Sequence, residues 1–124
     1  MAEELDVKIL REEHLSNPEA YKVLKEIVKK IEEKEGSVPF LLSKTLHYLS
    51  RASKMEAESA MALKKVLSKY NLKPETIVMI INVCPKTLDE LRILFELEER
   101  IIETDEAQEI LDTIKPYCTE SKEE

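Results

Sequence analysis

A single glycine, Gly36, has to serve all 124 residues. Sandwiches and barrels need many tight turns, usually rich in glycine, so an all-β fold is not expected. The same scarcity removes three catalytic signatures. The phosphate-cradling G-x-x-x-x-G-K-[ST] and G-x-G-x-x-G loops and the G-x-S-x-G nucleophile elbow each require more than one glycine. Histidine and cysteine are equally sparse. His14 and His47 share no H-x₃₋₅-H spacing, and Cys84 and Cys118 form no C-x-x-C pair, so no zinc site is expected from them. Cys84 reads as a small apolar core residue and Cys118 as part of a loose tail. A catalytic triad would have to use His14, in a charged N-terminal segment, or His47, in mid-helix without a nucleophile signal nearby. Both read as surface or packing residues.

Apolar runs are short as well. None approaches the roughly 18 residues of a membrane span, and the start Met-Ala-Glu-Glu has neither the apolar core of a signal peptide nor the basic amphipathic pattern of a presequence. The expectation is a cytoplasmic protein without membrane association, cofactor or catalytic centre. A net charge of -7 opposes phosphate backbones, so general nucleic-acid affinity is not expected either.

What is present reads as helix. Charged residues make up 36% and hydrophobic residues 43% of the chain, with Leu, Ile, Glu, Lys and Ala prominent, all compatible with helices. Abundant Glu and Lys beside a single Gln suits a thermophile. Near the N-terminus Val7 and Ile9 alternate around Lys8, followed by Leu10, a weak strand signal. A lone short strand has no ladder partner, which hints at a partner chain. Asn17-Pro18 then opens a helix as N-cap and first helical residue. Its apolar face is Tyr21, Leu24, Ile27, Val28 and Ile31, and Gly36 supplies the left-handed stop. Ser37 is a cap for a second helix with Pro39 in its first turn. There Phe40, Leu41, Leu42, Leu46, Tyr48 and Leu49 exceed one narrow stripe. Such a helix is either central to its own core or shared with another protein.

Capping boxes follow at Ser53-Lys54-Met55-Glu56 and Thr87-Leu88-Asp89-Glu90, and Asn71 is a left-handed stop between them. Residues 76–83 have the composition of a buried strand, while the Pro74-Glu75 start favours a short helix with Ile77, Ile80, Ile81 and Cys84 inward. Thr104-Asp105-Glu106 reads as a last helix start, where negative charge is favourable. That helix would carry Ala107, Ile110, Leu111 and Ile114 inward and stop at Pro116. The chain divides softly near Asn71.

In this order and spacing, several segments resemble the F-type stalk component of archaeal RNA polymerase, a family similar in eukaryotes to the fourth-subunit member of the polymerase stalk. They are Val38-Pro39-Phe40 through Tyr48-Leu49, Ala57-Glu58-Ser59-Ala60, and Cys84-Pro85-Lys86-Thr87-Leu88-Asp89-Glu90-Leu91-Arg92. The resemblance covers about residues 7–117. It implies a mainly α fold, with a short N-terminal strand plus helices followed by an HRDC-like bundle of short helices. The implied domains are residues 1–70 for heterodimerisation with the E-type stalk component, residues 71–117 for the bundle, and residues 118–124 as a disordered tail. It also implies a non-catalytic stalk subunit that supports open-complex formation and nascent-RNA engagement, and joins the polymerase core through its E-type partner. The expected partner surface is Val7, Ile9, Leu10, Phe40, Leu41, Leu42 and Tyr48. Lys64, Lys65, Lys69 and Lys73 are the candidate RNA contacts, weighed against an ordinary solvated helix face. The rival reading is a free-standing HRDC-like nucleic-acid-binding module.

Overall fold

The computed structural model describes Lys8 and residues 11–118, and every regular element among them is helical. The α-helices run in the order α1 (Asn17–Glu35), α2 (Phe40–Ala52), α3 (Ala57–Leu67), α4 (Pro74–Val83), α5 (Leu88–Leu94) and α6 (Thr104–Cys118). Short 3-10 turns follow α3 at Ser68–Tyr70 and α5 at Phe95–Leu97. The mainly α expectation holds. No strand occurs among the described residues, so that part of the fold expectation gains no support. Lys8 has no regular structure, and Val7, Ile9 and Leu10 lie outside the described residues.

Most helix boundaries follow local chemistry. Gly36 takes φ 80° and its N–H closes α1 on the Glu32 carbonyl; only glycine adopts this conformation without a Cβ penalty. Asn71 stops the chain after α3 at φ 61°. Residues 76–83 are helical, because Pro74 presets the backbone of the first turn, and Cys84 closes α4 in a left-handed conformation just before Pro85. Thr87 caps α5, its hydroxyl accepting the Glu90 N–H at 3.2 Å.

Other boundaries depart from expectation. Ser16, not Asn17, precedes α1, and the Glu19 carboxylate reaches back to accept both the Ser16 N–H and hydroxyl at 2.8 Å. Ser37 lies outside α2, whose cap position is Pro39. Ser53 does not start α3. It ends α2, donating its hydroxyl to the Leu49 carbonyl at 2.6 Å, while Glu56 is the cap residue of α3. The cause is tertiary: Met55 is 1% exposed, and inserting it into the core keeps Ser53 and Glu56 extended. Pro116 does not stop α6, which continues to Cys118.

Cys118 is therefore not in a loose tail, and Cys84 is not a free core thiol. The two form a disulfide with Cα atoms 5.8 Å apart. The bond ties the end of α6 to the end of α4 across a sequence separation of 34. No spacing rule reveals such a pair, because disulfide connectivity depends on the fold. The rest of the expected tail, residues 119–124, lies outside the described residues.

One core holds α3 to α6 together. Leu63 and Leu67 of α3 meet Ile80 and Ile81 of α4, Leu91 of α5, and Ile110 and Ile114 of α6. Asn71 therefore turns the chain within this core. Residues 20–52 contribute nothing to it: not one of them is buried.

Candidate partner-binding surface

A helical hairpin buried only at its entry, at Pro18 and Glu19, is unusual, because apolar burial is the dominant favourable term in folding. α1 packs along α2, yet their apolar stripes cover each other only in part. On α2, Phe40 is 75%, Leu41 73% and Tyr48 64% exposed, and Leu42 is half-buried. Leu41 and Tyr48 are seven residues apart, two helical turns, so they share one side of α2. This overturns the central-core reading of the second helix. Full burial of each large side chain is worth about 1.5–3 kcal/mol, so a partner covering these three would gain several kcal/mol.

Two hydroxyls of α2 are occupied within the helix. Thr45 donates to the Leu41 carbonyl and Ser50 to the His47 carbonyl. Lys44 lies over the Phe40 ring, 5.5 Å from its centroid. An open hollow beside it is lined by Lys44, His47, Tyr48, Arg51 and Ala52. No carboxylate occurs in α2, so the surface is apolar with a basic rim.

A compact polar cluster fixes the hairpin to the bundle. Lys64 of α3 donates to the His14 carbonyl at 2.7 Å and to both oxygens of Glu19 at 3.1 and 3.2 Å. The Asn17 N–H donates to the Asn82 side chain of α4 at 2.7 Å. Burial pushes the Glu19 carboxyl up, but the Ser16 hydrogen bonds and Lys64 outweigh it and hold the group below its ordinary value. The Lys22–Glu58 pair at 3.2 Å is solvated on both sides and adds little. This anchor escaped the sequence reading, although Ser16-Asn17-Pro18-Glu19 is itself a capping-box pattern. Asn82 left no such signal.

The four lysines singled out for RNA differ in environment. Lys64 is engaged with Glu19 and half-buried. Lys73 pairs with Glu99 at 3.3 Å, and its N–H donates to Glu98. Lys65 and Lys69 are four residues apart, at the end of α3 and in the turn after it; Lys69 is exposed and Lys65 has no acidic partner among the described ion pairs. Among the described residues, no group of three or more His, Cys, Asp or Glu is placed to hold a metal ion. No helix among them is long and apolar enough to cross a membrane.

Comparison with known proteins points to one family. The family model described as RNA polymerase Rpb4 matches residues 14–118. The DNA-directed RNA polymerase subunit Rpo4 of Sulfolobus acidocaldarius is 28% identical over 98 residues, 78% of this chain and 85% of the relative. The protein of the same name from Saccharolobus solfataricus is 27% identical over 112 residues, 90% of this chain and 95% of the relative.

Proposed function

The chain belongs to the RNA polymerase Rpb4 family, and from that premise we propose that it is the non-catalytic stalk subunit that pairs with the E-type stalk component. As a subunit of a DNA-directed RNA polymerase of archaeal type, it works in transcription. In this reading the α1–α2 hairpin docks on the E-type partner through Phe40, Leu41, Leu42 and Tyr48. The α3–α6 bundle, HRDC-like in its second half, is carried alongside. The pair joins the polymerase core in the cytoplasm, supports open-complex formation and engages nascent RNA, with the E-type partner making most of the RNA contact.

The observation that carries the proposal is the hairpin itself, a run from residue 20 to residue 52 without a buried side chain. A surface this apolar on a helix that stays outside its own core is a partner surface waiting for its complement. RNA contact, if made directly, falls to Lys65 and Lys69, because Lys64 and Lys73 face Glu19 and Glu99. That arrangement lends nothing to a free-standing nucleic-acid module, which needs a clustered basic surplus.

Coexpression with the E-type component of the same polymerase tests the proposal. A one-to-one complex is expected in sedimentation, and Phe40→Ser with Leu41→Ser is expected to weaken it by about 100-fold, given the burial at stake. A chain that remains a soluble monomer beside that component would refute it.

A further inference from the structure

A second exposed apolar surface lies in the most acidic part of the chain. Residues 89–106 contain eight carboxylates against two arginines, so this stretch holds nearly all of the net charge of -7. Within it, Ile93 is 65%, Leu97 44% and Ile101 85% exposed. Ile93 lies near the end of α5 and Leu97 at the end of the 3-10 turn that continues it. Arg92 donates to the Thr104 hydroxyl at 2.8 Å, closing the chain around all three.

Looseness does not explain the exposure. Leu94 and Ile102, next to Ile93 and Ile101, are in the core. The Glu98 carboxylate accepts the Lys73 N–H at 2.8 Å, and Arg100 donates to the Tyr70 carbonyl at 2.7 Å and pairs with Glu106 at 3.3 Å. The disulfide between Cys84 and Cys118 brackets the whole stretch. Three apolar side chains are thus held toward solvent by a braced framework. Exposed apolar residues on a charged surface mark interaction sites.

The charge of the rim selects the occupant. α2 presents its apolar residues among Lys44, His47 and Arg51 with no carboxylate, whereas Ile93, Leu97 and Ile101 belong to a stretch in which eight carboxylates outnumber Arg92 and Arg100. A partner surface complementary to the first is mismatched to the second, because like charge across an interface costs several kcal/mol. We propose that α5 and its connection to α6 form a second docking surface, which receives a basic amphipathic helix of another protein. The helix lays an apolar stripe along Ile93, Leu97 and Ile101 and sets Lys or Arg against the carboxylates on either side. The site lies on different helices from the α2 surface.

A synthetic amphipathic Leu/Lys helix titrated into the full-length, ¹⁵N-labelled chain tests this. Amide shifts are expected to be confined to residues 88–106, with affinity falling as salt rises. The variant with Ile93→Ser, Leu97→Ser and Ile101→Ser is expected to bind at least about tenfold more weakly at unchanged melting temperature, since all three side chains are exposed. Glu96→Gln with Glu103→Gln provides a second variant, expected to weaken binding and flatten the salt dependence. Phe40→Ser with Leu41→Ser is expected to leave binding unaltered. Shifts centred on α2, equal binding of a scrambled peptide with the same composition, or unaltered affinity in both site variants would each overturn the proposal. So would sedimentation of the chain alone as a dimer that the Ile93, Leu97 and Ile101 substitutions abolish, since the occupant would then be a second copy.

Discussion

Removing the Cys84–Cys118 bond is the sharpest perturbation of this fold. It closes a loop across a sequence separation of 34, containing α5 and most of α6. In the chain-entropy account a loop of that length is worth about 4 kcal/mol at 25 °C, and disulfides commonly deliver about 2–4. A chain of this size loses about 4 °C of melting temperature per kcal/mol, so breaking the bond should lower it by about 8–16 °C. Cys118→Ala is the cleaner variant, because Cys118 is partly exposed while Cys84 is 4% exposed and its side chain also fills core space. Calorimetry of the oxidised chain, the chain under reductant and Cys118→Ala should give one high and two matched low transitions. Reductant should leave Cys118→Ala unaffected. Hydrogen exchange should rise first in the last turn of α6, which the bond tethers beyond Pro116. Equal melting temperatures for oxidised and reduced chains, with the thiol state verified by mass spectrometry, would refute the entropic reasoning.

Other expectations follow from single groups. The Thr76 hydroxyl is fully buried and has no hydrogen-bond partner among the described residues; Thr76→Val should therefore stabilise the chain by about 1 kcal/mol in urea denaturation. Lys64→Met strands the Glu19 carboxylate and should cost about 1–3 kcal/mol, less than a fully buried pair because the lysine side chain is 25% exposed. Glu19 has a folded-state value below its ordinary 4.5, so its contribution is present above that pH and disappears as pH falls through the lower folded value. Urea midpoints from about pH 6 to pH 3 should show this loss in the parent chain and a shallower slope in Glu19→Gln. A fragment of residues 72–118 should be less stable than one of residues 53–118, measured by thermal melting, because Leu63 and Leu67 of α3 complete the core.

Much of the fold was legible in the chain. Gly36, Asn71 and Thr87 mark helix ends through the chemistry of one or two residues, and each does so in the structure. The inward positions of α6, at Ala107, Ile110, Leu111 and Ile114, follow from helical spacing alone. Ser53-Lys54-Met55-Glu56 misled because a capping box is a local option, and Met55 had a stronger claim in the core. The lysine pattern of α3 was equally ambiguous. Lys64 and Lys65 are neighbours in sequence, but Lys64 is the one that reaches Glu19.

For the candidate surface, the excess of apolar residues in α2 was visible as too many large side chains for one stripe. The sequence alone determined that this helix had more to bury than a narrow face accommodates, that the chain is helical, and that its charge discourages general phosphate binding. These are properties of composition and period, which need no knowledge of neighbours. Only the tertiary structure decided that Phe40, Leu41 and Tyr48 remain uncovered, that Glu19 anchors the hairpin through Lys64, and that Cys84 meets Cys118. Each of those depends on which distant segments share space, and exposure, ion pairing and cross-linking are properties of that arrangement rather than of any local run of residues.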